Sequence, residues 1–253
     1  MSSKPDGVKT YSIHSLSDYI QYISDHYKED IVLFRGQRED RPLLPKIARV
    51  KTIEATLIDE MKMLDDFKRK SIPFLEFRIE NDWDWLALAQ HHGLPTRLLD
   101  WTLNPLAALW FAVERPPLQN GDGVVWIFKP GKDEFVTMKQ LSSPFEGERT
   151  MVFQPNHITS RIVAQGGWFT VHKYMKTKAR FIALENIGRI KSSLAKFIIR
   201  PNRFAQLRAE LNRCGINSAL LFPGLDGLCR YIEWLYCLLE DEQRKALKTT
   251  PQV

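Results

Sequence analysis

The sequence predicts an α+β fold, built as one domain with a small, mostly antiparallel sheet packed against helices. Short apolar runs rich in β-branched and aromatic residues have the composition of strands, and other segments repeat apolar residues at helical spacing. The two kinds of segment do not alternate strictly, which disfavours a doubly wound parallel sheet. The 253 residues are enough to bury a substantial core in one domain spanning 1–253. We expect that core over residues 15–235, with flexible segments at residues 1–10 and 248–253.

The first part of the chain predicts two helices and one strand. Residues 15–27 carry apolar residues at helical spacing, with Ser15 in the N-cap position. Residues 31–34 have strand composition, and residues 54–70 have the pattern of a charged amphipathic helix. These assignments place Arg35 at the end of a strand.

The central part carries clear helix-capping signals. Asn81 or Asp82 can cap one helix, which Gly93 ends, and Asn104 caps another helix that begins with Pro105. In chain order we predict a helix at 82–92, an extended segment at 94–101, an apolar core helix at 106–112 and a central strand at 124–128.

The last part mixes both kinds of element after an irregular segment at 132–155. We predict strands at 167–172, 180–184, 195–199 and 218–222, a helix at 204–212 and a long terminal helix at 225–247.

The composition predicts a cytoplasmic globular protein without a membrane partner. Hydrophobic residues make up 44% and charged residues 26%, and no apolar run has the length and lack of charge needed to cross a bilayer. Cys214, Cys229 and Cys237 lack paired spacing, so neither a disulfide framework nor a thiolate zinc site is indicated, and we expect them to be buried apolar residues.

The net charge is +6 with a pI near 9.2, which is compatible with an anionic partner such as nucleic acid or a nucleotide. The basic residues are scattered, and acidic runs at 59–60 and 240–242 interrupt them. An ordinary solvated surface explains the charge at least as well.

Residues 86–112 contain the densest group of polar side chains beside apolar segments. Buried polar groups must find partners or cost stability, so this crowding indicates a site. Its chemistry-bearing members are Gln90, His91, His92, Thr96, Arg97, Asp100, Trp101 and Thr102.

Each of these residues also has a structural interpretation. His91 and His92 fit acid–base roles or substrate orientation, yet histidines at a helix end often cap carbonyls. Neighbouring helical histidines diverge, which argues against a metal site. For Arg97 and Asp100 we favour a buried ion pair. Trp101, beside two polar residues, is the one tryptophan that we expect to act as a stacking surface.

Several motifs together resemble the FRG domain family, a bacterial and phage-associated group named for its Phe-Arg-Gly motif. The resemblance covers roughly residues 15–235, and its most specific part is the central block. The motifs are FRGQ at 34–37, LAQHHGLPTRLLDWT at 88–102, RIVAQGGWFT at 161–170, LNRCGI at 211–216 and LFPGLD at 221–226.

A more distant similarity links residues 34–36 and 96–112 to the first two motifs of ADP-ribosyltransferases. It implies a split sheet of that type and NAD as a substrate, with Arg35 on a phosphate or ribose, Trp101 on nicotinamide, and Thr96 or Thr102 on ribose. The catalytic candidates under this resemblance are Arg35, Gln90, His91 and Gln165, and the remaining NAD-binding candidates are Gly36 and Arg97. The chain departs from that family's pattern because Gln165, which stands in roughly the region of its Gln-x-Glu or Glu-x-Glu motif, has Gly167 and not a glutamate two residues later.

Two hypotheses of function follow. The first is an effector or toxin, of the kind used in phage defence, that handles NAD or another nucleotide and cleaves NAD or transfers its ADP-ribose. The second is a non-catalytic module that binds nucleic acid or a nucleotide. A nuclease is the weakest alternative, because no carboxylate cluster has the spacing to hold two metal ions. Whether the chain is an enzyme, and whether it has a cognate inhibitor, stays open at this point.

Overall fold

The computed structural model describes residues 7–28, 31–75, 77–137, 143–156 and 166–242, and it confirms the α+β class. Most strands belong to a single, mostly antiparallel sheet. The strands are β1 (Lys9–Ile13), β2 (Leu33–Gln37), β3 (Leu98–Thr102), β4 (Gly123–Phe128), β5 (Met151–Phe153), β6 (Gly167–Val171), β7 (Tyr174–Met175), β8 (Arg180–Phe181) and β9 (Leu194–Ile199). The helices are α1 (Leu16–His26), α2 (Thr56–Ser71), α3 (Asp82–His91), α4 (Pro105–Val113), α5 (Gly188–Lys191), α6 (Phe204–Arg213), α7 (Ser218–Leu221) and α8 (Leu225–Tyr236).

Within the described residues the main sheet has seven strands in the order β1-β9-β4-β2-β3-β6-β5, and it is larger than the small sheet predicted. Its neighbouring strands pair antiparallel except β1 and β9, which are parallel. Strands β7 and β8 form a separate two-stranded sheet.

The sheet is joined weakly at its centre. Strand β2 pairs with β4 over five residues, from Leu33 to Gln37, but with β3 through the single pair Phe34 and Thr102. The two strands therefore separate beyond this pair, and a gap opens between two halves of the sheet.

Helices α1, α4 and α6 cover one half of the sheet on the face that carries Phe34. Gly36 lies against α4 so closely that a Cβ atom there would be 1.8 Å from the Ala108 carbonyl oxygen. Because side chains alternate along a strand, Leu98 points to the same face on the other half, and there it packs with α2 and α3. The gap therefore lies between α4 and α3.

The opposite face holds a second core cluster that includes Leu33, Trp101, Trp126 and Trp168. Loop and short-helix residues such as Leu43, Leu184 and Ile190 cover it. Both faces of the central strands are consequently buried, which is why the run at 124–128 is apolar without alternation.

The local capping signals are confirmed. The side chains of Ser15, Asn81 and Asn104 accept hydrogen bonds from backbone N–H groups in the first turns of α1, α3 and α4. Gly93 has a φ of +86°, in the left-handed region that suits the end of a helix.

Several other predictions are wrong. The strand predicted at 218–222 is the short helix α7, capped by Asn217, because a short apolar run has no period that separates strand from helix. The terminal helix ends at Tyr236, where Cys237 adopts an extended backbone. Of the strand predicted at 180–184, only Arg180–Phe181 pairs.

The three cysteines are exposed rather than buried: Cys229 lies on the outer side of α8, and Cys214 and Cys237 are the C-cap residues of α6 and α8. Lys9 and Thr10, within the segment predicted to be flexible, pair with Ala195 and Lys196 of β9. Within the described residues, no helix combines the length and apolar character needed to cross a membrane.

Candidate functional site

A cavity of about 860 Å³ opens at the gap between β2 and β3, and we call it the cleft. Its walls come from β2 and the loop after it, the C-terminal end of α3, the centre of β3, the end of α4 and the start of β6. Eight residues singled out from the sequence lie around it, namely Arg35, Gly36, Gln90, His91, His92, Asp100, Trp101 and Thr102.

Arg35 lies in the middle of β2, paired with Trp126, and not at a strand end as predicted. The difference arises because β2 runs on through Gly36 and Gln37 to pair with β4. The Arg35 side chain fills the gap between the separated strands, where Nη1 donates to the Asp100 carbonyl oxygen at 2.8 Å. Its Nε atom is buried without a partner among the described residues. Burial lowers the pKa of the guanidinium, with the charge of Arg49 acting in the same direction and Asp100 opposing both.

A short hydrogen-bond chain holds Asp100 in place on β3. The Thr96 hydroxyl donates to Gln90 Oε1 at 2.7 Å, and Gln90 Nε2 donates to Asp100 Oδ2 at 3.1 Å. The same carboxylate oxygen is 3.6 Å from Arg35 Nη1. The Asp100 side chain is 57% exposed, so an oriented carboxylate faces the cleft. Gln90 is the link between buried Thr96 and this carboxylate, and Thr96 itself does not line the cleft.

The cleft is rich in arginine. Its walls carry five arginines against three carboxylates, and these groups are Arg35, Arg38, Arg41, Arg49 and Arg115 with Glu39, Asp100 and Glu114. Arg41 is ion-paired with Glu39 at 2.6 Å. Arg38, Arg49 and Arg115 have no hydrogen-bond or ion-pair partner within the described part of the chain. Such a group of unpaired guanidinium groups favours an anionic ligand.

The two histidines lie at the end of α3, on the rim of the cleft. His91 is the last residue of the helix, and His92 is its C-cap. Their rings are nearly perpendicular, with centroids 5.0 Å apart. Among the described residues, no three His, Cys, Asp or Glu side chains gather in a way that could hold a metal ion.

Arg97 does not pair with Asp100, so the predicted buried pair is wrong. Instead, Arg97 Nη2 contacts Glu60 Oε2 of α2 at 2.7 Å, and the Arg97 backbone N–H donates to the same carboxylate. Arg97 precedes β3 and its guanidinium is turned to α2, whereas the Asp100 carboxylate is held at the cleft by Gln90. Arg97 is buried and is not among the residues that line the cleft.

Trp101 is packed in the core and is not an exposed stacking surface. It is 3% exposed, and its indole N–H donates to the Thr170 hydroxyl at 3.1 Å. Thr102 is also buried, and its hydroxyl accepts a hydrogen bond from the backbone N–H of Asn104 at 2.9 Å. Both residues border the cleft, and the Trp101 side chain also ties β3 to β6 through Thr170.

Gln165 lies outside the described residues, so its predicted role stays a prediction. Glu185 does not line the cleft, and its carboxylate accepts the backbone N–H of Leu43 at 3.1 Å. Sequence reasoning missed Arg38, Arg49 and Arg115. Arg38 directly follows the FRGQ motif, which is a usable signal, but the other two lie in loops without a local motif.

Residues 30–121 match the model of the FRG domain, in agreement with the resemblance. The matched range is less than half of the 253 residues, yet it holds every cleft residue except those at 167–169. No curated protein and no solved structure matches the chain. The similarity to ADP-ribosyltransferases has no support from these comparisons.

Proposed function

We propose that the cleft binds a nucleotide through its phosphates, with NAD as the first candidate, and that the protein acts on the bond between nicotinamide and ADP-ribose. The observation that carries the proposal is the set of three cleft arginines, Arg38, Arg49 and Arg115, that have no partner among the described residues. Planar guanidinium groups bind phosphate oxygens in pairs, and a pyrophosphate offers enough oxygens to engage several of them. Arg35, fixed between the strands, adds partly buried positive charge behind them.

Asp100 supplies the negative charge that this chemistry needs. When the nicotinamide C–N bond breaks, nicotinamide leaves with the bonding electron pair and positive charge develops on the ribose. A carboxylate held at a fixed position stabilises that charge. Water, or a nucleophile on an acceptor, then forms the new bond to the ribose carbon and releases a proton. Cleavage or transfer of this kind suits an effector or toxin, including one that acts in phage defence.

The second candidate is a module that binds a nucleotide or nucleic acid without turnover. It is favoured by the contacts of Asp100, whose Oδ2 atom already accepts a hydrogen bond from Gln90 and lies near Arg35. Both candidates predict binding that weakens as salt increases, because the arginines contact phosphates. They differ in whether nicotinamide is released.

The binding test compares the wild type with Arg49→Ala by calorimetric titration of NAD at low salt. Arg49 is exposed and unpaired among the described residues, so its removal should not disturb the fold. We expect about a tenfold loss of affinity, because a charge-assisted hydrogen bond contributes about 1.5 kcal/mol. The matched control is Arg69→Ala on α2, outside the cleft, which should bind as the wild type does. Absence of NAD binding by the wild type would reject NAD as the ligand.

A second experiment decides between an enzyme and a binding module. It follows nicotinamide release from NAD by chromatography, in the wild type and in variants of the cleft carboxylates. Asp100→Asn should lower release by at least about 100-fold while NAD affinity changes little. Glu39→Gln removes another cleft carboxylate and is the control, expected to keep most of the activity. NAD binding without release by the wild type would establish the module instead.

A further inference from the structure

A second cavity, of about 630 Å³, adjoins the cleft beyond the end of α4. The two cavities share a wall made of Arg38, Glu114, Arg115 and Leu118. We propose that this second cavity is a nucleobase site, which takes the aromatic ring of a nucleotide whose phosphates lie on the shared arginines. This inference rests on the proposed function, and it adds where the uncharged part of the ligand binds.

The walls of the second cavity suit a flat ring. Trp110 of α4 and Tyr231 and Trp234 of α8 line it, together with Pro116 and Pro117. The Tyr231 and Trp234 rings are nearly parallel, with centroids 6.4 Å apart and 23° between their planes. A nucleobase stacks well on aromatic side chains, and the volume is within the range of small-molecule sites.

The cavity also offers a hydrogen-bond donor for the edge of a base. Asn212 and Asn217 lie side by side, and Asn217 Nδ2 donates to Asn212 Oδ1 at 3.3 Å. Asn217 Oδ1 accepts the backbone N–H of Leu220 as the cap of α7. The Asn212 Nδ2 group has no partner within the described residues, so it can donate to a ring nitrogen or carbonyl oxygen.

The two cavities differ in the net charge of the side chains that line them. Arg208, buried at 3% exposure, is neutralised by Asp241 and Glu242 at 3.1 and 2.5 Å. Glu233 and Glu240 also line the second cavity and offset Arg230. Away from the shared wall this cavity therefore lacks excess positive charge. Phosphates favour the cleft, and an uncharged ring favours the second cavity.

The aromatic wall is held in place before any ligand binds. Arg208 Nε donates to the Val113 carbonyl oxygen at the end of α4, and its Nη atoms bind the acidic pair that follows α8. The Trp234 indole N–H donates to Glu242 at 2.9 Å. Because α8 and the residues after it are tied to α4 and α6, the site requires little rearrangement to accept a ring.

The test titrates the full chain with ADP and with inorganic pyrophosphate. The wild type should bind ADP at least about tenfold more tightly than pyrophosphate, because base stacking adds to phosphate binding. Tyr231→Ala should lose that preference while it keeps the wild-type affinity for pyrophosphate. Tyr231→Phe, which retains the ring, should keep the preference for ADP over pyrophosphate. Asn212→Ala should reduce the preference for ADP by a smaller factor, and this variant leaves the aromatic residues in place.

Tyr236→Ala is the matched control, since Tyr236 is on α8, is 85% exposed and does not line the cavity. Equal affinity of the wild type for ADP and pyrophosphate, or an equal loss of both in Tyr231→Ala, would overturn the nucleobase site while leaving phosphate binding in the cleft intact. Arg49→Ala should weaken ADP and pyrophosphate alike. If the wild type binds neither compound, the proposed function and the nucleobase site both fail.

Discussion

His172 shows how strongly one buried side chain can be constrained. It is 1% exposed, and its Nε2 atom lies 3.2 Å from the Thr170 hydroxyl, which also accepts the Trp101 indole N–H. Burial lowers the pKa of His172 to about 3, and the positive charges of Arg35 and Arg97 act in the same direction. The folded protein therefore keeps this histidine neutral well below the pH at which a free histidine is protonated.

This residue should make the protein sensitive to acid. The unfolded chain binds a proton at His172 near its ordinary pKa of 6.5, and the folded chain does so only near 3. The contribution of His172 to the free energy of unfolding is therefore fully present above about pH 6.5. It is lost as the pH falls towards 3, at up to about 1.4 kcal/mol per pH unit. Between about pH 7 and about pH 5, the free energy of unfolding measured in urea should fall less for His172→Gln than for the wild type. His14→Gln, at an exposed position, is the control, and equal pH dependence in all three proteins would contradict the prediction.

At the scale of elements, the contact of β2 with α4 decides where Arg35 lies. The backbone of Gly36 touches α4, and a Cβ atom would be 1.8 Å from the Ala108 carbonyl oxygen and 2.8 Å from the Ala112 nitrogen. Neither neighbour can yield, because both are helix backbone. The glycine of the FRG motif thus has a packing role, and the close contact holds the preceding residue, Arg35, at the gap in the sheet.

Gly36→Ala should therefore destabilise the protein by about 3 kcal/mol, the upper range for an overpacked core. Gly188→Ala is the matched control, because nothing lies within 4 Å of its Cβ position. The midpoints of urea unfolding measure both changes. If Gly36→Ala unfolds at the same urea concentration as the wild type, β2 and α4 can move apart without loss of stability, and the prediction is wrong.

At the scale of the whole molecule, a buried ion pair ties the helices of one half to the sheet. Glu60 of α2 and Arg97 beside β3 are 1% and 3% exposed, and the guanidinium stacks on Phe145 with 4.4 Å to the ring centroid. The arrangement anchors the segment that leads into β3, and hence the position of Asp100 opposite Arg35. The cleft depends on this contact although neither residue lines it.

Glu60→Gln should cost about 3–5 kcal/mol, because it leaves the buried charge of Arg97 without compensation. Asp66→Asn, on the exposed side of the same helix, is the control and should have a far smaller effect. Thermal unfolding followed by circular dichroism gives both values. A small loss for Glu60→Gln would mean that water reaches Arg97 in solution.

The sequence by itself determined the features that depend on residues close together in the chain. Ser15, Asn81 and Asn104 cap their helices because a side-chain oxygen reaches an N–H two or three residues later. The α+β class and the crowded polar block at 86–112 follow from patterns of the same short range. The strand predicted at 218–222 is wrong for the same reason, because a short apolar run has no period that distinguishes a strand from a helix.

Only the tertiary structure decided which side chains meet. Arg97 pairs with Glu60, 37 residues away, and not with Asp100. Arg38, Arg49 and Arg115 come from separate segments and face one cleft because β2 and β3 separate after a single pair. The physical reason is that a hydrogen bond within one turn is set by local backbone geometry, whereas long-range ion pairs depend on how the sheet and helices pack. The second cavity depends on the same packing, because α4, α6 and α8 each supply part of its wall.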